Sequence, residues 1–282
     1  MASKTKDSQS PGSENQQPRT YDVTLAWPAG NITALVRGMV PASSKKPIND
    51  RILGMFPNVE QVGFYSEERN RPALEMAGGE FCGNALRSVA YLILEGKPGE
   101  ALFSVFGVEQ KLVAGVREEG SAFAQIPLSR EFDTIRKLNG GMWQVDLDGI
   151  SHIVVKVTKA LGEEQAKLVA KELLTKTNLL EDKPASGVMF IRETDLEGVL
   201  EMEPVVFVRG IQTFFYETAC ASGTSAVGIW YNQESGAEDT LLKVRQPSRE
   251  VLDVRVRKNN GQLEDVFIEG PMKILQRTEV SI

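Results

Sequence analysis

Cys82-Gly-Asn-Ala-Leu-Arg-Ser-Val-Ala-Tyr91 and Cys220-Ala-Ser-Gly-Thr-Ser-Ala-Val-Gly-Ile229 are the two stretches on which the fold prediction depends. In both, a cysteine precedes small or polar residues, and a valine stands seven positions on, followed by a small residue. An acidic residue lies just upstream of each cysteine, at Glu80 and Glu217. The simplest account of this weak repeat is two similar lobes, each presenting one cysteine at the start of a helix.

Short strands dominate the rest of the chain. Strands are predicted at Asp22–Ala26, Ile32–Val36, Gln61–Tyr65, Leu102–Val108 and Gln110–Val116, with a turn at 28–31 between the first two. Helices are predicted at Ala85–Leu94, Glu163–Leu174 and Ser225–Tyr231. Strands and helices do not alternate regularly, so the fold class is α+β.

The domain organisation follows from composition. Residues 1–19 are rich in Ser, Gln, Lys, Pro and Asn and have little to bury, which predicts a disordered tail. A break near Pro127 divides the remainder into a first lobe, residues 20–128, and a second lobe, residues 129–271. The last strand, residues 272–282, is expected to return to the first lobe.

Composition argues against several classes of function. A net charge of −6 without a basic run is a poor match to nucleic acid. No apolar stretch approaches the roughly 20 residues of a membrane helix, and Met-Ala-Ser-Lys at the start lacks the apolar core of a secretory signal. We therefore expect a cytoplasmic protein. A single histidine argues against a His-rich metal site, and no metal ligand is predicted.

A cysteine at a helix start has a defined chemistry. The first turn of a helix has N–H groups without partners, and the helix dipole adds positive charge there. A thiol at that position should ionise more easily, and a substrate carboxylate can dock on the N–H groups. The small residues Gly83 and Ala221 let the backbone come close.

Two such helix starts placed face to face would form a racemase. A thiolate removes the α-proton of an amino acid from one side, and a thiol returns a proton from the other side. The carbanion's charge spreads into the carboxylate, where the N–H groups stabilise it. The chemistry needs no pyridoxal phosphate, and we predict no cofactor. Two other roles for the cysteines stay open: inert buried residues, or a redox pair or disulfide.

At these residues the sequence resembles the diaminopimelate epimerase family. The resemblance rests on Glu80-Phe-Cys-Gly-Asn-Ala85 and Ala219-Cys-Ala-Ser-Gly-Thr224, and is closest to the branch with the histidine racemase of staphylopine-type metallophore biosynthesis. It implies two pseudo-symmetric lobes, each a barrel-like mixed sheet around a central helix, with the site between them. It also implies a small amino-acid substrate; whether the protein forms a homodimer is left open.

The resemblance also implies roles for individual residues. Cys82 and Cys220 would be the catalytic acid/base pair. Glu217 would bind the α-ammonium group. The remaining substrate-binding residues would be Asn31, Gln61, Gly83, Asn84, His152, Ala221 and Ser222, of which Gly83, Asn84, Ala221 and Ser222 would act through their backbone N–H groups.

Departures from the family pattern bear on the substrate. Thr218 follows Tyr216-Glu217 where the epimerase proper has an arginine, and Ile150-Ser151-His152 stands where it reads Asn-Pro-His. These losses remove anion recognition, which argues against a distal carboxylate and favours histidine or another free amino acid. Three alternatives remain: diaminopimelate epimerase proper, an isomerase of the phenazine-biosynthesis type that uses a carboxylate, and a non-catalytic amino-acid-binding protein.

Overall fold

The computed structural model describes residues 19–68, 71–128 and 134–282, without the side chain of Ile211. The predicted disordered tail, except for Arg19, and the start of the predicted second lobe at residue 129 lie outside the described residues. Arg19 itself exchanges two backbone hydrogen bonds with Ile282, so this residue pairs with the C-terminal strand and does not belong to the predicted tail.

Nine elements form the part of the chain that carries Cys82. They are β1 (Thr20–Trp27), β2 (Ile32–Arg37), α1 (Ala42–Met55), β3 (Val59–Ser66), β4 (Ala73–Met76), α2 (Gly83–Ile93), β5 (Gly99–Val105), β6 (Leu112–Val116) and β7 (Ala122–Gln125). The sequence analysis missed α1, because Pro47 and the polar residues before it are typical of a loop. Two isoleucines four residues apart, Ile48 and Ile52, bury its inner face.

Thirteen elements form the part that carries Cys220. They are β8 (Ile135–Lys137), a 3-10 turn (Asn139–Gly141), β9 (Trp143–Leu147), β10 (Ile150–Lys156), α3 (Glu163–Lys176), α4 (Leu179–Asp182), β11 (Ala185–Glu193), β12 (Val199–Val208), a 3-10 turn (Arg209–Ile211), β13 (Thr213–Tyr216), α5 (Ala221–Ser235) and β14 (Asp239–Arg245). The thirteenth is β15 (Val251–Asn259); β16 (Gln262–Gly270) and β17 (Lys273–Ser281) then end the chain.

Strand pairing joins the described part of the chain into one mixed sheet system. The pairs run β17–β1–β2–β3–β4–β5–β6–β7–β16–β15–β14–β12–β11–β10–β9–β8, and β13 also pairs with β12. Among the described strands, four pairs are parallel: β2–β3, β4–β5, β10–β11 and β12–β14. The last strand therefore lies beside the first, and the predicted sheet-rich α+β class is confirmed.

Helices α2 and α5 are enclosed by strands. Helix α2 packs against β2, β6 and β7, and α5 packs against β9, β10, β11, β14, β15 and β16. Nearly all of α2 and most of α5 is buried, as expected for a helix covered on every side. Among the described helices, none is long and apolar enough to cross a membrane.

The start of α5 differs from the prediction. The helix begins at Ala221, four residues before the predicted Ser225, because Ser and Thr in this segment do not interrupt it. The hydroxyl of Thr224 donates to the Cys220 carbonyl at 2.6 Å, and that of Ser225 donates to the Ala221 carbonyl at 2.8 Å. These bonds satisfy the hydroxyls inside the core. Helix α2 likewise begins at Gly83, two residues earlier than predicted.

Candidate active site

Each cysteine occupies the position just before a buried helix. Cys82 precedes α2 with φ −134° and ψ 108°, and Cys220 precedes α5 with φ −121° and ψ 107°. The sulfur of Cys82 accepts the Ala85 N–H at 3.4 Å, and that of Cys220 accepts the Gly223 N–H at 3.2 Å. Both cysteines are therefore N-caps, and both are free thiols, which excludes the disulfide alternative for this conformation.

The first turns of α2 and α5 touch. A Cβ built on Gly83 would lie 3.2 Å from the Ala221 Cβ and 3.1 Å from Ile126 Cδ1, so this contact is tight and a side chain here would push the two helix starts apart. Asn84 Nδ2 donates to the Ala219 carbonyl at 3.2 Å, across from one helix start to the residue before Cys220. The first-turn N–H groups of both helices, at Gly83 and Ala221 among others, therefore lie close to one another.

Gln61 connects Cys82 to a polar chain. The Cys82 thiol donates to Gln61 Oε1 at 3.3 Å, and Gln61 Nε2 donates to Thr33 Oγ1 at 2.8 Å. The Thr33 hydroxyl in turn donates to the Asn31 carbonyl at 3.3 Å. Because the amide nitrogen of Gln61 donates to Thr33, its amide oxygen faces Cys82. That oxygen can only accept a hydrogen bond, so the contact favours the protonated thiol form of Cys82.

Asn31 serves the loop before Cys220. Its Oδ1 accepts from the Thr218 N–H at 3.0 Å, the Thr218 hydroxyl at 2.8 Å and the Ala219 N–H at 3.2 Å. The neighbouring Gly30 meets Ala219 so closely that a Cβ there would lie 2.6 Å from the Ala219 Cβ. The β1–β2 turn thus supports the second cysteine, a role that no local sequence pattern indicates.

His152 lies behind Cys220. It is fully buried on β10, and burial lowers its pKa to about 3, so the ring is neutral. Its Nε2 lies 3.0 Å from Ser222 Oγ, whereas Nδ1 is buried without a partner. An unpartnered buried N–H is rarer than an unpartnered acceptor, so we assign the proton to Nε2. Ser222 can then donate to Cys220 Sγ, 3.5 Å away.

Gln246 is a residue that the sequence analysis did not place at the site. Its Oε1 accepts the Cys220 backbone N–H at 3.1 Å, while its Nε2 donates to Thr224 Oγ1 at 3.0 Å. Both hydrogen bonds hold the N-terminal turn of α5. Gln246 follows β14, far from the cysteine in the sequence, so spacing carries no signal of this contact.

Burial outweighs the helix starts in setting the state of both thiols. Burial raises the pKa of Cys82 to about 12, helped by the charges of Glu80 and Glu217 and opposed by the N–H groups of Ala85 and Asn84. The pKa of Cys220 is raised well above its usual value by burial and by Glu217. The expectation that each thiol ionises more easily is therefore wrong for this conformation, although the helix N–H groups act in the expected direction.

Glu217 interacts with both cysteines. Its carboxyl is hydrogen bonded to the Cys220 thiol, and its charge also acts on Cys82. Burial raises the pKa of Glu217 to about 7, with a further increase from the charge of Glu60 and a decrease from the Cys220 hydrogen bond. A carboxyl that titrates near neutral pH beside a thiol can exchange a proton with it.

The structure thus gathers the predicted site residues at one place. The hydrogen bonds, contacts and charge interactions above link Asn31, Gln61, Cys82, Gly83, Asn84, His152, Glu217, Cys220, Ala221 and Ser222. Two of the residues expected to bind substrate contact other protein groups. His152 contacts Ser222 in the interior, and Asn31 directs its side-chain oxygen Oδ1 to the loop at 218–219.

Comparisons with known proteins cover almost the whole chain. A family model described as "Histidine racemase CntK N-terminal domain" matches residues 23–280. A histidine racemase from Fusobacterium nucleatum subsp. nucleatum is 30% identical over 280 residues, covering 90% of this chain and 95% of that protein.

Solved structures share the fold at low identity. A hydroxyproline epimerase from Agrobacterium vitis has a TM-score of 0.57 and 14% identity, covering 94% of this chain and 93% of that chain. A methylitaconate-delta-isomerase has a TM-score of 0.60 and 12% identity, covering 95% and 96%. The protein is an amino-acid racemase, not a non-catalytic binding protein, and the chain belongs to the histidine racemase family.

Proposed function

We propose that the protein racemises a free amino acid, with histidine as the first candidate, by proton transfer between Cys82 and Cys220. The observation that carries this proposal is the meeting of two cysteine-capped helix starts, in contact through Gly83 and Ala221. The fold we propose around them is two pseudo-symmetric lobes, one around α2 and one around α5, with the site between them.

The carboxylate of the substrate would bind the first-turn N–H groups of both helices. Gly83, Asn84, Ala221 and Ser222 supply these donors, and the two helix dipoles favour a negative charge there. Charge that develops on the carboxylate during deprotonation meets the same donors, which lowers the barrier. The α-carbon then lies between the two sulfur atoms.

Proton transfer would proceed from one sulfur to the other through the substrate. For one enantiomer, Cys220 gives its proton to the Glu217 carboxylate, and the Cys220 thiolate removes the α-proton. Cys82 then donates its thiol proton to the opposite face, which leaves a Cys82 thiolate and an inverted product. Charge on Cys220 would be stabilised by the Gly223 N–H and the Ser222 hydroxyl, both within hydrogen-bond distance.

Two observations support histidine over diaminopimelate. The family model and the Fusobacterium relative are both described as histidine racemases. The arginine and the asparagine that the diaminopimelate epimerase resemblance would place near a distal carboxylate are replaced by Thr218 and Ile150. A neutral side chain needs no such anion-binding groups.

Proton exchange tests this proposal. L-Histidine and a panel of the other standard amino acids are incubated in D₂O, and deuterium at Cα is followed by mass spectrometry together with optical rotation. We expect histidine to lose rotation while it gains one deuterium. Exchange with another amino acid but not with histidine would show that histidine is not the substrate, while the two-cysteine mechanism would still stand.

Cysteine variants test the mechanism itself. Cys82→Ser and Cys220→Ser should each abolish racemisation, whereas Ser235→Ala at the far end of α5 should leave it unchanged. Full racemisation in either cysteine variant would overturn the two-cysteine mechanism. Activity that survives both cysteine variants but is lost in Glu217→Gln would favour the carboxylate chemistry of a phenazine-type isomerase.

A further inference from the structure

Arg87 is a buried cation without a carboxylate partner. Its side chain lies inside the molecule with 0% exposure, on α2, five residues after Cys82. It is the only arginine or lysine among the described residues that is fully buried, and it takes part in none of the ion pairs among them. Arginine is almost never buried without a paired charge, so this position calls for an explanation.

Neutral oxygens from the β1–β2 turn, α2 and β7 hold the guanidinium. Its Nη2 donates to the Pro28 carbonyl and to Asn84 Oδ1, both at 3.0 Å, and Nη1 donates to the Ala122 carbonyl at 3.2 Å. Nε has no partner. A Cβ on Gly270 would lie 3.1 Å from Nη1, so the pocket around the guanidinium is tight. These bonds fix the position of the cation but leave its charge uncompensated.

Arg87 also decides which way Asn84 faces. A guanidinium can only donate, so it must meet the oxygen of the Asn84 amide. The amide nitrogen is thereby directed to the Ala219 carbonyl, 3.2 Å away and next to Cys220. One side chain thus links the β1–β2 turn, the start of α2 and the start of α5.

Two groups can place negative charge near Arg87, and one of them is Cys82 at the candidate site. Cys82 and Glu269 are the groups whose negative charge raises the pKa of Arg87, while burial lowers it to about 10, which leaves the group protonated at neutral pH. Glu269 is itself paired with Arg117. Glu80 and Glu217 oppose the ionisation of Cys82, whereas Arg87, on the helix that Cys82 caps, is a cation that would favour a thiolate there.

We propose that Arg87 is a positioning residue whose buried positive charge is balanced during turnover by the Cys82 thiolate and the substrate carboxylate, and whose hydrogen bonds align the two helix starts. A cation that is fixed before the reaction needs no reorganisation when the negative charge appears. This inference rests on the proposed two-cysteine mechanism and adds a residue that acts through Cys82 and Asn84.

Thiol alkylation tests the inference without any substrate. The rates at which iodoacetamide modifies Cys82 and Cys220 are measured separately, from their peptides by mass spectrometry, between pH 7 and 10. In Arg87→Met we expect the Cys82 rate to fall at least about tenfold, which corresponds to an increase of about one unit in the pKa of this thiol. The Cys220 rate should change less than about twofold, and Arg87→Lys should restore most of the Cys82 rate.

Arg192→Met is the matched control. Arg192 pairs with Glu201 and Glu203 and is mostly buried, so its loss lowers stability away from Cys82. Equal slowing of both thiols in Arg87→Met, or an unchanged Cys82 rate, would overturn the inference. If Arg87→Met does not fold, the neutral Arg87→Gln carries the same comparison with Arg87→Lys.

The racemisation assay separates this inference from the proposed function. For the enantiomer whose α-proton Cys82 removes, the rise of kcat/KM with pH should move upward by about one unit in Arg87→Met, while Arg192→Met leaves it in place. If Cys82→Ser abolishes racemisation but Arg87→Met keeps the wild-type pH profile, the role of Arg87 is refuted and the two-cysteine mechanism stands. If Cys82→Ser remains fully active, the two-cysteine mechanism itself is refuted, and the role of Arg87, which rests on it, is refuted too.

Discussion

Replacing Glu217 with glutamine should make the stability of the protein less dependent on pH. Burial raises the pKa of Glu217 from 4.5 to about 7, so the folded protein binds a proton on this group more tightly than the unfolded chain does. As pH rises from 4.5 through 7, the folded state must give up that proton at a cost. Wild-type stability therefore falls over this range relative to Glu217→Gln.

The size of the effect follows from the same numbers. Each pKa unit is worth about 1.4 kcal/mol, so the full shift would be about 3 kcal/mol. Glu217 is half-buried and keeps some contact with solvent, which screens part of the interaction. We therefore expect Glu217→Gln to be about 2 kcal/mol more stable than wild type at pH 8, and equally stable near pH 4.

Urea denaturation at a series of pH values between 4 and 8 measures this difference. Glu234→Gln, on the exposed face of α5, is the control and should show the same pH dependence as wild type. Parallel curves for wild type and Glu217→Gln would refute the reasoning, because they would mean that Glu217 titrates alike in the folded and unfolded states. Racemisation by Glu217→Gln should also fall, since the amide cannot take the proton of Cys220.

Three further predictions concern other parts of the site and the core. Ser222→Ala removes the hydroxyl next to Cys220, so kcat should fall about tenfold with little change in KM, measured by initial rates. In Gly83→Ala the new Cβ would lie 3.2 Å from the Ala221 Cβ, so the two helix starts should move apart. This movement should lower kcat/KM about tenfold or more and the free energy of unfolding by about 1 kcal/mol. Glu203→Gln weakens the hydrogen bonds that Glu203 accepts from two N–H groups just before α3, at 2.8 and 2.9 Å. The free energy of unfolding should fall by about 2 kcal/mol, and racemisation should not change. Loss of racemisation in the folded variant would contradict this prediction.

Local pattern was sufficient for several features of the fold and the site. The hairpin signals predicted β1 and β2, and the repeat predicted a helix after each cysteine. The same approach failed for α1 and for the first turn of α5, where Ser, Thr and Pro favour a loop. In both cases burial of the segment by neighbouring strands outweighs the local preference.

The amino-acid sequence by itself determined the sheet-rich class, the two cysteine motifs and the small residues at the helix starts, since these depend on local pattern and steric size. Tertiary structure decided which distant groups surround each thiol: Gln61 reaches Cys82, and His152 reaches Ser222 beside Cys220, from strands that no spacing connects to the cysteines. It also decided the state of the thiols: the helix N–H groups act locally, whereas burial, which raises each pKa, is a property of the whole packed molecule.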